Sequence, residues 1–136
     1  MNPLTRHVSG QFDVKVTHQD DSSGDPLLNR MTLDKQYHGD LEATGIGQML
    51  TAGTEVKGSG AYAAIEKVTG SLEGKKGTFI LQHTGTMRRE VPQLAIVVVP
   101  DSGTGELQGI SVKMKIKFAE GGKHFYELDY TLEKSD

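Results

Sequence analysis

Glu66 and His83 are the pair in this chain best suited to acid–base chemistry. Glu66 shares its parity with Tyr62, Ala64, Val68 and Leu72, and His83 with Phe79, Leu81 and Met87. Residues of one parity line one face of a strand, so both polar groups are expected among apolar neighbours. A four-residue loop at 73–76 would set Glu66 directly opposite His83. A six-residue loop would offset them by two residues on the same face. Either register allows a carboxylate–imidazole contact. Burial disfavours a charged carboxylate unless a donor such as His83 satisfies it, and the carboxylate in turn favours imidazolium. Groups perturbed in this way within a pocket are candidate acid–base catalysts. The same pair also fits a satisfied core hydrogen bond, or a solvated pair if the two faces are inverted.

Further groups could line a cavity around this pair. Tyr37, Tyr62, Tyr126 and Tyr130 can each offer a hydroxyl or simply pack with the hydroxyl satisfied. Phe79, Leu81 and Met114 supply apolar wall. Gln82 could orient a substrate, although its parity points it away from His83. The histidines at 7, 18, 38, 83 and 124 show no H-x-H or HExxH spacing, so no metal is expected. No cofactor is expected either. Residues 100–109, PDSGTGELQG, space their glycines as G-x-G-x-x-x-G and lead into the strand-like VKMKIKF. A dinucleotide site needs a helix N-terminus there. A tight turn or short helical crossing capped by Ser102 or Thr104 is expected instead.

The elements that must position these residues are strands. Apolar residues recur with period two, the mark of half-buried strands. Val8, Phe12, Val14 and Val16 share one face of the first. The others run over about 29–39, 41–52, 61–72, 77–87, 91–99, 110–118 and 124–132. Gly45 and Gly47 break the third, which suggests bending or close backbone approach. If 120–122 is the last loop, Lys115 faces Glu127 and Lys113 faces Asp129. Eight hairpin-linked strands without a long helical pattern favour one all-β domain, an antiparallel up-and-down barrel, which removes exposed sheet edges. A β-sandwich has the same strand count. A barrel of eight is either filled by side chains or holds one small ligand.

Strand 94–99 departs from alternation, with Leu94, Ile96 and Val98 on one face and Ala95, Val97 and Val99 on the other. Something must cover its outer face. A loop or terminus could do so; a homo-oligomer formed through this strand is the favoured expectation.

The 136 residues suit one domain, and the absence of cysteine removes thiol redox chemistry, Cys-ligated zinc and disulfides. Fifteen Lys and Arg against eighteen Asp and Glu leave no basic footprint for nucleic acid. The opening MNPLTRHVSGQ lacks the apolar run of a signal peptide and no segment approaches a membrane span. A cytoplasmic location without membrane contact is expected.

Residues 66–85, EKVTGSLEGKKGTFILQHTG, followed by VVVPDSGTGELQGI, resemble the bacterial domain of unknown function 3224 family. HGDLEATG and YELDYTLE fit the same pattern, so the resemblance spans nearly the whole chain; EKV stands where ERV is common. That family is similar to the allene oxide cyclase barrel group. The resemblance implies an eight-stranded antiparallel barrel, often homo-oligomeric, with a cavity that in the plant cyclases takes an apolar fatty-acid epoxide. No residue-by-residue match to the cyclase catalytic set is present, so cyclase activity is not implied. The leading expectation is a barrel that binds a small, largely apolar molecule. A lyase- or isomerase-type enzyme using Glu66 and His83 is the alternative, and a filled interaction module the third.

Overall fold

The computed structural model describes residues 5–19 and 24–132. Eight strands close into a single antiparallel barrel in sequence order: β1 (Arg6–His18), β2 (Leu28–Gly39), β3 (Leu41–Gly53), β4 (Gly60–Leu72), β5 (Lys75–Arg88), β6 (Val91–Val98), β7 (Ile110–Ala119) and β8 (Lys123–Leu132). Each strand pairs with its sequence neighbours, and β1 closes the ring against β8 with Val8 opposite Leu128. Alternation decides the faces: Phe12, Leu33, Tyr37, Val68, Phe79, Leu81, Met114 and Leu128 all point inward and are buried. No helix among the described residues is long and apolar enough to cross a membrane.

The β7–β8 register matches the sequence expectation, with Lys115 opposite Glu127 and Lys113 opposite Asp129. The ion pairs themselves shift by one neighbour. Lys117 reaches Glu127 at 3.0 Å, while Asp129 turns to His7 on β1.

The β4–β5 register corrects the expectation. Leu72 pairs with Lys75, so the connection is the two-residue turn Glu73–Gly74. Both residues have positive φ (47° and 83°), the geometry of the tight hairpin turns that follow strand twist. Glu66 therefore lies opposite Leu81, and His83 opposite Ala64. The slip from the expected registers is an even number of residues, so every side chain keeps its face.

The two barrel ends differ. At one end the segment between β6 and β7 folds inward as a short 3-10 helix, Gly105–Leu107, whose Leu107 is buried beneath it. Leu41, Leu72, Ile110 and Tyr130 fill the space around it, and all are buried. Thr104 occupies the capping position but makes no side-chain cap. Instead it and its neighbours take over where β6 stops pairing with β5. The Thr104 hydroxyl accepts from the Thr78 N–H, Ser102 Oγ from the Ile80 N–H, and Glu106 from the Lys76 N–H. The polar residues of the SGTGE turn thus satisfy a strand edge that would otherwise be orphaned.

At the other end the inward side chains are not covered. Val16 is 47% exposed, Met87 45%, Leu94 39% and Phe118 75%, although all have inward parity. One half of the barrel is a packed core and the other an apolar mouth with part of its wall exposed.

Candidate functional site

Glu66 sits at the junction of these halves with no exposed surface. Its Oε1 accepts from Lys35 Nζ at 3.1 Å and from His83 Nε2 at 2.8 Å. Its Oε2 accepts from the Tyr37 hydroxyl at 2.5 Å. β2 supplies Lys35 and Tyr37 two residues apart, β4 supplies Glu66, and β5 supplies His83. Because Glu66 and His83 are diagonal rather than opposite, the carboxylate and ring reach across the strand pair, which long side chains can do. Lys35 is itself buried and lies over the rings of Phe12 and Tyr37, at 5.2 and 5.8 Å from their centroids. Such placement adds a cation–π attraction to the ion pair.

β3 makes room. A Cβ at Gly45 would stand 2.0 Å from Glu66 Oε2, so the glycine leaves the space that the carboxylate occupies. The close approach suggested by the broken third strand is therefore an approach of backbone to this cluster.

Burial by itself would push the Glu66 carboxyl up. The His83 hydrogen bond, the Lys35 charge and the Tyr37 hydroxyl outweigh it and hold the group below the usual carboxylate range. Burial, and then the Glu66 charge, pushes the Tyr37 phenol well up, so it remains a donor. Glu66 is an ionised carboxylate ringed by donors.

Tyr62 is half-buried on β4, two residues from Ala64, which pairs with His83. Its ring stands 6.5 Å from the His83 ring and occupies the space a side chain at Gly85 would need. Burial and the Glu66 charge raise its phenol as well. Val14, Met31, Leu33 and Met49 complete the inward wall toward the mouth and are buried or half-buried.

Other residues singled out in the sequence lie elsewhere. Phe79, Leu81 and Met114 belong to the packed half. The Tyr126 hydroxyl accepts from the Leu41 N–H at 3.0 Å and bonds the His38 carbonyl at 2.9 Å, pinning the β2–β3 turn. Tyr130 donates to Glu73 at 2.5 Å, and Arg6 clasps the same carboxylate at 2.6 and 2.7 Å. These two tyrosines hold the closed end together. The Arg6 and Tyr130 hydrogen bonds bring the Glu73 carboxyl down to about 2. Gln82 faces outward and is exposed. His38 is on the outer surface beside Asp13 and Glu42, away from Glu66. No group of three His, Asp or Glu residues suited to a metal ion occurs among the described residues.

The family described as "Protein of unknown function (DUF3224)" matches residues 8–130. The chain belongs to the DUF3224 family. A crystal structure of a DUF3224 protein of unknown function from Shewanella oneidensis MR-1 is 46% identical in sequence, with a TM-score of 0.89. The match covers 96% of this chain and all of the other. No curated protein matches. Within this DUF3224 barrel, the residue that sequence reasoning missed is Lys35. Its signal was present: it shares parity with Met31, Leu33 and Tyr37, so a charged group was due on an inward face.

Proposed function

We propose that this DUF3224 barrel binds a small, largely apolar molecule in its open half, with the polar part of the ligand reaching toward Lys35, Glu66 and His83. The carrying observation is the one-sided exposure of inward-facing Val16, Met87, Leu94 and Phe118 above a buried charged cluster. An apolar wall with a few convergent polar groups is the usual makeup of a ligand site. The filled-barrel reading fits the closed half only. Native mass spectrometry of freshly purified protein tests the proposal. A reproducible extra mass that is lost on denaturation and reduced by Leu94→Asp is the expected result. An adduct unaffected by that change, or a bare mass that no apolar compound alters, counts against it.

We further propose that a second copy of the chain covers the outer face of β3–β6. That face carries the exposed Ile46, Leu50, Ile65 and Val97, with Ala63, Gln82, Thr84 and Ala95 between them. Lys67 is the charge in its middle, whereas the outward residues of β7 and β8 include Lys113, Lys115, Lys117, Glu127 and Asp129. A face with a single charge on it meets its own copy with little like-charge repulsion, and isologous contacts bring the same patch together twice. Val97→Lys is expected to give a folded monomer by native mass spectrometry at a concentration where the parent chain is dimeric or larger. A monomeric parent, or an oligomer indifferent to both Val97→Lys and Ile65→Lys, overturns the contact.

A further inference from the structure

We propose that the open end of the barrel docks on the surface of a phospholipid bilayer, with apolar loop tips entering the acyl boundary and Arg88 and Arg89 taking a lipid phosphate. This surface goes beyond the ligand role proposed above and does not depend on it.

The argument begins with where the exposed large apolar side chains of the described residues lie. Ile46, Leu50, Ile65 and Val97 belong to the outer face of β3–β6. Every other one stands in the open half. Four connections meet at that end, and each carries an exposed tip. These are Leu28 at the start of β2, Val56 between β3 and β4, Val91 at the start of β6, and Phe118 near the end of β7. The connections at the closed end, at 40, 73–74 and 99–109, carry none. Single exposed apolar residues are ordinary on a surface, but their collection around one end of a ring marks an interaction site.

The tips are held in place by neighbouring connections. The Gly53 N–H donates to the Leu27 carbonyl at 2.8 Å, tying the β1–β2 loop to β3. The Glu90 N–H donates to the Gly58 carbonyl at 2.8 Å, and the Arg89 N–H to Ser59 Oγ at 2.9 Å. These bonds tie the β3–β4 loop to the β5–β6 turn.

The polar groups between the tips select a bilayer. Arg30 is two residues from Leu28, Lys57 adjoins Val56, Arg89 is two residues from Val91, and Lys117 adjoins Phe118. An apolar tip beside a long cation matches the layering of a lipid interface, with acyl chain below and phosphate above. A protein partner would need four apolar sockets alternating with acids around a ring. A fluid surface needs no such match.

The match is closest beside the β5–β6 turn. A hollow of about 420 Å³ there is lined by Thr86, Arg88, Arg89, Val91 and Gln93. Two guanidinium groups, an amide and a hydroxyl supply donors, and no carboxylate is among the lining residues. Neither guanidinium has a partner among the described residues. Such a donor set suits a phosphate diester, which guanidinium groups bind through paired hydrogen bonds. Free phosphate compounds share that chemistry; Val91 in the same wall, and the tips around the ring, favour the lipid-borne form. Asp25, Glu55, Glu90 and Glu120 lie on the same four connections and offset the cations. Anionic lipid is therefore not required. The expectation of no membrane contact rests on the absence of an apolar run, and tips from four separate connections make none.

The chain has no cysteine, so one introduced cysteine can carry a polarity-sensitive fluorophore in the otherwise intact protein. Phe118→Cys, Val91→Cys and Val56→Cys label the tips, Ile65→Cys the outer face and Gln108→Cys the closed end. With phosphatidylcholine vesicles, the three tip probes are expected to shift to the blue and brighten, and the other two to stay unchanged. By flotation, Phe118→Ala should lower the vesicle partition coefficient about tenfold or more, the worth of one aromatic side chain withdrawn from water. Arg88→Gln with Arg89→Gln should lower it about tenfold, for two net hydrogen bonds lost. All three side chains are exposed, so these variants should unfold in urea at the parent midpoint. A response at Ile65 equal to the tips, or one that needs anionic lipid and vanishes in high salt, overturns the proposal. So does silence of all five probes. Tip probes that shift without vesicles as protein concentration rises would give the open end to a second copy. Protection of Arg88 and Arg89 by glycerophosphocholine, without any vesicle response, would give the hollow to a free phosphate compound.

Discussion

Glu66→Gln is expected to cost about 3–5 kcal/mol of folding stability, the range found when one partner of a buried ion pair is removed. The shape of the side chain is nearly unchanged, so the loss is electrostatic. Lys35 is 4% exposed and has Glu66 as its ion-pair partner at 3.1 Å; without the carboxylate it is a buried cation with no counter-charge. The pair itself need not be net stabilising, since desolvation offsets much of the attraction. Lys35→Met combined with Glu66→Gln should therefore recover most of the loss. The pH dependence follows from the sign of the shift. Glu66 has a folded value below its unfolded one. Its contribution is complete above the unfolded carboxylate range, near ~4.3, and is lost as pH falls toward the lower folded value. Urea unfolding of parent and variant should show the full gap at pH 7 and a narrower one at pH 3. A single variant within 1 kcal/mol of the parent at pH 7 would mean that water or proton loss relieves Lys35, and that the cluster is not a closed electrostatic unit.

Much of this arrangement was legible because parity in a strand is robust to small errors of register. Parity places Glu66 and His83 in one interior whether the loop between their strands has four residues or six. The true turn is Glu73–Gly74, and an even slip preserves the face. Boundaries of β2, β3 and β7 were readable from the same alternation, and the loop at 120–122 set β7–β8 pairing correctly. Composition hid Lys35. Charged residues are ordinarily read as marking solvent, and only the inward parity of Met31, Leu33 and Tyr37 contradicts that for residue 35. The asymmetry of the two ends was not legible either. It depends on Leu107 folding into one end, and on Val16 and Phe118 standing uncovered at the other. Both are properties of the closed ring, not of any one strand. Tyr126 and Tyr130 share parity with true interior groups, and alternation alone cannot separate a pocket wall from a tie at the closed end.

Gly45→Ala is expected to destabilise the barrel by about 2–3 kcal/mol, through crowding and not through backbone conformation. Gly45 is not among the residues with positive φ, so an alanine can adopt its backbone without strain. The conflict is with side chains of the two flanking strands, Glu66 on β4 and Tyr37 on β2. The new Cβ would stand 2.0 Å from Glu66 Oε2 and 3.1 Å from Tyr37 Cε2. The carboxylate cannot simply rotate away, because Lys35, His83 and Tyr37 fix both of its oxygens. Moving it breaks at least one charge-assisted hydrogen bond inside the barrel, and those are stronger than neutral ones. The methyl and the carboxylate compete for one space, so the two positions should be strongly non-additive. In a Glu66→Ala background the space is vacant, and Gly45→Ala should then cost under about 1 kcal/mol or even stabilise by filling it. Four-way urea denaturation of parent, both single variants and the double variant measures the coupling. Additive losses would show that Gly45 acts through β3 itself. A coupling of 2 kcal/mol or more would tie the glycine in the third strand to the carboxylate on the fourth, and so to the cluster that Lys35, Tyr37 and His83 form around it.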